Sequence, residues 1–138
     1  MLAITFCCGL VAPAAQAAEI VINVSGVTSA TGQIGCSLFA SAAGFPMDIS
    51  GARQVWLAAR PEGVTCRFAE LADGRYAVSI GHDLNGNKKV DTNLLGIPTE
   101  AWGVSGNVRP TLRAPTWDEA AFSVAQGKDV TLTVKVAK

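Results

Sequence analysis

The sequence predicts an all-β domain, a single antiparallel β-sandwich of about seven strands carrying one long ordered loop. Three observations predict it. Apolar residues recur at every second position in short runs, the spacing of strands with one buried face, and no stretch keeps the spacing of a long amphipathic helix. The runs are separated by turns containing Gly, Pro and Asp. Two cysteines, Cys36 and Cys66, fall on the apolar faces of their runs, where a bond between strands closes a small core.

Met1 to Ala18 carries no charged side chain. Leu2 to Ala12 is largely apolar, Pro13 follows, and Ala15-Gln16-Ala17 has the small-x-small form of a signal-peptidase site. Residues 1–17 therefore read as a signal peptide and 18–138 as the exported domain, periplasmic or secreted. The apolar run is too short to span a bilayer, so no transmembrane anchor is expected after cleavage. A positive n-region is missing, which predicts a start codon upstream of Met1. Cys7 and Cys8 fall in the segment to be removed, and Thr5-Phe6 before them lacks the residues of a lipid-attachment site. Cys36 and Cys66 remain, an even pair in an oxidising compartment. A disulfide is the expectation and two buried free thiols the competing reading.

The strands follow in order. Ile20, Ile22 and Val24 alternate with Val21 and Asn23, and Ile34, Cys36 and Leu38 share one face of the next run. Val55 and Leu57 mark a third, and Val64, Cys66 and Phe68 a fourth. In "FAELADGRYAV" the Asp73-Gly74 turn delivers Tyr76 into a strand with Val78 and Ile80. That arrangement predicts a corner in which the tyrosine hydroxyl ties back to upstream backbone. Phe122 and Val124 form a short run, and Val130, Leu132, Val134 and Val136 form the most regular one.

From Asp83 to Asp118 the alternation fails. Asn85-Gly86, Gly96, Pro98, Gly103, Gly106, Pro110 and Pro115 interrupt it. Only "AWGV" resembles a short strand, and "PTWDEAAF" a single helical turn. So long an irregular stretch is usually functional or disordered. Leu94, Leu95, Ile97, Trp102, Val104 and Trp117 are costly to leave in water, which predicts an ordered excursion packed over one end of the sandwich. Sandwich folds commonly place binding surfaces there.

The segment "HDLNGNKKVD" opens the excursion. Asp83, Asn85, Asn87, Lys89 through its carbonyl, and Asp91 stand at positions 1, 3, 5, 7 and 9 of a calcium-loop count. Lys88 replaces the usual Gly at position 6 and Leu94 the bidentate Glu at position 12, so the spacing admits only a weak, structural Ca²⁺ site. The competing reading is an ordinary hairpin turn on Asn85-Gly86. No other cofactor is indicated. His82, the sole histidine, has no nucleophile elbow near it: neither Ser79 nor Ser105 lies in a Gly-x-Ser-x-Gly frame. One histidine and two paired cysteines cannot supply a zinc site.

The 11 basic and 11 acidic residues cancel, and no window is dominated by Lys and Arg, which disfavours nucleic acid as a partner. Trp102 and Trp117, with Trp56 as a further candidate, suit an aromatic platform for a saccharide or peptide. Glu100, Asn107 and Arg109 are its polar companions, as is Asp118; anchoring roles within the loop are the alternative. The expected function is therefore a non-enzymatic binding module presenting loop 83–118. The alternatives are a structural or assembly component of the cell envelope, in contact with another envelope protein, and a hydrolase using Asp83, Asp91 or Glu100 as acid or base.

The stretch "YAVSIGHDLNGNKKVDTNLLGIPTEAWGVSGNVRP" followed by "APTWDEAAFSV" resembles the signature of an uncharacterised bacterial family, the domain of unknown function 2141. The resemblance runs from about Glu19 to Val136. It implies a secreted or periplasmic β-sandwich of transthyretin-like or immunoglobulin-like type, and it implies no activity. The family pattern commonly reads Asn-Gly-Asn-Gly where this chain has Asn85-Gly86-Asn87-Lys88, a departure that weakens the calcium reading.

Overall fold

The computed structural model describes residues 9–12 and 16–138. Expectations placed on residues 1–8 and 13–15, among them Cys7, Cys8, most of the apolar run and Ala15 of the cleavage site, lie outside the described residues. The first strand begins at Ala18. No helix among the described residues is long and apolar enough to cross a membrane.

Eight strands, rather than about seven, build two sheets. They are β1 (Ala18–Ser25), β2 (Gln33–Phe39), β3 (Arg53–Ala58), β4 (Val64–Leu71), β5 (Gly74–Asp83), β6 (Trp102–Val104), β7 (Phe122–Val124) and β8 (Val130–Lys135). The additional strand is β6, the "AWGV" segment within the excursion. The smaller sheet runs β4-β1-β8 and the larger β3-β2-β5-β6, with β7 pairing the start of β5. The ladders are antiparallel except one: β1 and β8 are parallel, with Ile20 opposite Val130 and Val24 opposite Val134. An all-antiparallel sandwich is therefore corrected. Period-two alternation fixes which face of a strand is buried, and it carries no information on strand direction.

Alternation does its work in the core. Ile20, Ile22 and Val24 of β1 meet Val64, Cys66 and Phe68 of β4 and Val134 of β8 on one side, and Ile34, Cys36, Leu38, Val78 and Ile80 of the large sheet on the other. Ile20, Ile22, Ile34, Val78 and Ile80 are fully buried. A Cys36–Cys66 disulfide joins β2 to β4 across this core, with both residues fully buried. The tyrosine corner is present: the Tyr76 hydroxyl donates to the Ala72 carbonyl at 2.7 Å. The expected helical turn is α1 (Trp117–Ala120), closed by a capping box between Thr116 and Glu119.

The excursion departs from its expected packing in one part. Val104 is buried and Trp102 and Trp117 half-buried, but Leu94 is fully exposed, Leu95 is 82 % exposed and Ile97 is 54 % exposed. The reason is local. Residues 91–99 form a small hairpin whose arms bond to each other: Asn93 N–H to the Ile97 carbonyl at 2.9 Å and Thr99 N–H to the Asp91 carbonyl at 2.8 Å. Its tip has no sheet beneath it to pack on.

Candidate functional site

Strands β2 and β5 lie side by side at the centre of the large sheet, and their register sets Gly35 opposite Gly81 and Ser37 opposite Ser79. These residues face away from the core, because Cys36 and Ile80 between them face into it. Trp56 of β3 is opposite Gly35, and Trp102 of β6 is opposite Gly81. One row across the four strands therefore reads Trp56, Gly35, Gly81, Trp102.

Both glycines are required by what lies over them. A Cβ on Gly35 would stand 2.5 Å from ring atoms of Trp56, so the indole lies down on the strand backbone. A Cβ on Gly81 would stand 2.7 Å from Cγ2 of Val90, which reaches in from the 84–92 loop. The result is a groove of about 280 Å³ on the outer face of the sheet. Its floor is Gly35, Ser37, Ser79 and Gly81. One wall is Trp56 with Pro46, Met47 and Ile49, and the other is Lys89, Val90, Asp91 and Thr92. Asp83 lies at its end. The Ser79 hydroxyl donates to the Pro46 carbonyl at 3.0 Å and so fixes the first wall to the floor.

The 84–92 loop is held by its own oxygens. The buried Asp83 carboxylate accepts the Gly86 N–H at 2.9 Å and the Lys88 N–H at 2.8 Å. Asn85 and Asn87 side-chain amides donate to the two oxygens of Asp91 at 2.6 and 2.7 Å. Each of those asparagines also accepts the backbone N–H two residues on, at 3.2 Å. Of the residues read as calcium ligands, the fold thus brings Asn85, Asn87 and Asp91 into direct contact, and it turns Asp83 toward the loop backbone. Lys88 takes a φ of 58°, so the left-handed turn usually given to glycine is made by a lysine, at a cost of roughly 1 kcal/mol. Its ammonium sits 5.6 Å from the Trp56 ring centre. Among the described residues no group of three or more His, Cys, Asp or Glu side chains is placed to hold a metal ion.

The residues read as a ligand surface are distributed over several internal contacts. Glu100 is buried and clamps the root of the excursion, accepting the Leu84 N–H at 2.8 Å and the Asp91 N–H at 2.9 Å. Asn107 grips β8, donating to the Thr133 carbonyl at 3.1 Å and accepting the Lys135 N–H at 2.8 Å. Arg109 stacks 4.0 Å from the Trp102 ring centre and donates to the carbonyls of Trp102 and Ala137. Its partial burial lowers the guanidinium pKa from the ordinary value. Trp117 packs beside Ala77, Val104 and Ala120, with the Arg75 guanidinium 4.6 Å from its ring centre. Asp118 pairs with Arg75 at 3.3 Å. Next to it the Arg113 guanidinium, with the Thr116 backbone N–H, holds the Glu119 carboxyl down to about 2.

His82 is buried and faces the opposite side of β5 from the groove, with Nε2 at 2.7 Å from the Thr31 carbonyl. Ser105 is buried too, accepting the Val78 N–H at 2.9 Å and donating to the Ala120 carbonyl at 2.7 Å.

None of the four floor residues is among the sequence candidates, because the alternation that locates a core is silent about the other face. The readable signal is the pair Gly35-x-Ser37 and Ser79-x-Gly81. Glycine inside a strand marks close approach of something to the backbone, and here it recurs at outward positions of two runs.

A family model described as "Uncharacterized protein conserved in bacteria (DUF2141)" matches residues 22–133. No curated protein and no solved structure matches the chain.

Proposed function

We propose a non-enzymatic binding role for this chain, which belongs to the bacterial family DUF2141, and we place the binding site in the groove over β2 and β5. The domain acts after export, and residues 1–17 serve as its signal peptide. The observation that carries this reading is the groove between Trp56 and the 89–92 segment, whose shape depends on Gly35 and Gly81 letting the Trp56 indole and Val90 close down onto the strand backbone. A groove of about 280 Å³ suits a small unit rather than an extended polymer face. Its chemistry is an indole and aliphatic wall with hydroxyl and carboxylate groups at floor and end. That mixture fits one saccharide unit, whose apolar face rests on aromatic and aliphatic carbon while its hydroxyls meet polar groups. The test is an amide chemical-shift titration with a panel of mono- and disaccharides, with tripeptides as the contrasting probe. Shifts centred on Gly35, Ser37, Ser79, Gly81 and the Trp56 indole support the site. Shifts confined to Trp102, Arg109 and Trp117 contradict it.

A second proposal concerns the loop that forms the groove's wall. The convergence of Asn85 and Asn87 on Asp91 favours a weak structural Ca²⁺ site. Turning the two side-chain amides over replaces N–H donors with oxygens facing the same point, at the cost of the bonds that Asn85 and Asn87 accept from the Asn87 and Lys89 N–H groups. Asp83 and the Lys89 carbonyl complete the donor set. With only two carboxylates the affinity belongs in the range of roughly 10⁻⁴–10⁻³ M. At ten times its dissociation constant, Ca²⁺ is expected to stabilise the fold by about 1.4 kcal/mol. A melting series in Ca²⁺, reversed by EDTA, reads this out, and an unchanged Tm at several millimolar removes the metal.

A further inference from the structure

The floor of the groove carries two side-chain hydroxyls, Ser37 on β2 and Ser79 on β5, directly opposite each other in the antiparallel register. The strand backbones beneath them are paired across the sheet, so the hydroxyls supply the floor's free polar chemistry. The next residue in the same row is Gln54 of β3, opposite Ser37. Its amide is engaged at both ends, donating to the Ile49 carbonyl at 2.8 Å and accepting the Trp56 indole N–H at 3.0 Å. Ser79 is half engaged: its hydrogen goes to the Pro46 carbonyl, and its lone pairs remain.

Ser37 differs from both. The residue is 3 % exposed, yet its hydroxyl bonds to no protein group among the described residues. Buried hydroxyls are nearly always bonded to something. The fully enclosed side-chain polar atom without a partner among the described residues is Nε1 of Trp117, so the Ser37 oxygen keeps its access to the groove.

The two serines are therefore complementary. Ser37 has a hydrogen to give, and Ser79, whose own is spent, can receive one. Opposite side chains on neighbouring antiparallel strands stand about 5 Å apart at Cβ. A single atom between them reaches both hydroxyls at about 2.8 Å. That atom has to accept and donate at once, which is the property of a hydroxyl. A carboxylate or ether oxygen accepts only and leaves Ser79 unanswered. An ammonium donates only and leaves the Ser37 hydrogen unplaced.

We propose that the groove selects its ligand through one hydroxyl seated between Ser37 and Ser79, with the adjoining ring carbons against Trp56. This rests on the reading of the groove as a saccharide site and makes it more specific. The sugar presents one free hydroxyl beside a patch of ring C–H groups. An analogue lacking that hydroxyl covers the Ser37 hydrogen and the Ser79 lone pair without answering them, which is how a site built for a hydroxyl rejects the deoxy form.

The experiment is an amide chemical-shift titration of the full chain with the methyl glycosides of glucose, galactose and mannose, each beside its singly deoxygenated analogues. For the glycoside that binds, removing one particular hydroxyl is expected to weaken binding by about tenfold or more, and removing any other to change it little. Ser37→Ala is expected to weaken the parent glycoside by a similar factor and to leave that one deoxy analogue unaffected, so the discrimination disappears. Because the Ser37 hydroxyl holds nothing in the protein, the melt of this variant is expected to match wild type. Ser79→Ala is expected to act on the same hydroxyl, and the Met47 amide reports separately on the lost tie to Pro46. Glycosides that shift Gly35 and the Trp56 indole but tolerate every deoxygenation, or bind Ser37→Ala as well as wild type, overturn the serine pair and leave the saccharide reading standing. Glycosides that shift no groove residue overturn both.

Discussion

Replacing Cys36 and Cys66 together by alanine is expected to lower stability by about 3–4 kcal/mol in the chain-entropy account. The two cysteines are separated by 30 residues, and cutting the bond returns that loop's freedom to the unfolded chain. They also join the sheets through the centre of the core, with no exposed area at either residue. For a domain of this size the loss is a large share of the total, and the melting temperature is expected to fall by roughly 10–20 °C. Urea unfolding of the double variant beside wild type measures it. Wild type under reducing conditions supplies the control, since reduction removes the cross-link while keeping the sulfur volume. A change below about 1 kcal/mol in both experiments is inconsistent with the disulfide as the main fastening between the sheets.

Glu100→Ala is expected to have the next largest effect, a loss of roughly 2–4 kcal/mol. The carboxylate accepts one N–H from the outgoing limb of the excursion, at Leu84, and one from the hairpin arm, at Asp91. Removing it leaves two donors at a partly dry junction with no charged acceptor. Glu100→Gln keeps one acceptor oxygen and is expected to cost about half as much. The location of the damage is as informative as its size. Amide exchange is expected to quicken at Leu84, Asp91 and the hairpin while Ile22 and Ile80 stay protected. If Glu100 instead serves a ligand surface and holds nothing together, both variants melt like wild type and exchange stays unchanged throughout.

These two predictions separate what could be read in advance from what could not. The core strands and the Cys36–Cys66 pairing were legible because burial imposes a period of two on apolar residues, and both cysteines keep that period. The Tyr76 corner was legible because an Asp-Gly turn before a strand aromatic has few uses. The parallel pairing of β1 with β8 was not, since direction leaves no trace in alternation. The exposure of Leu94 and Leu95 was not either. Apolar content predicts that a side chain will be buried, but the hairpin's bonds are satisfied by Asn93 and by its own arms, so the tip is ordered without burial. At the candidate site, the Asp and Asn spacing pointed to the 83–91 stretch, part of which walls the groove, while the floor of that groove is made of residues whose significance is their smallness. Gly35 and Gly81 matter through the side chains of Trp56 and Val90 above them, contacts that only the folded chain brings about.

The most direct test of the binding-site assignment is a pair of amide-shift titrations with the same saccharide panel, one on wild type and one on Gly81→Val. A valine Cβ at position 81 would stand 2.7 Å from Cγ2 of Val90 and so push that wall away from the floor, distorting the groove at its wall. The account predicts saturable shifts at Gly35, Ser37, Ser79 and the Trp56 indole in wild type, and their loss in a variant whose core amides remain dispersed. Identical titrations in the two proteins, or shifts centred on Trp102 and Trp117 in both, contradict it.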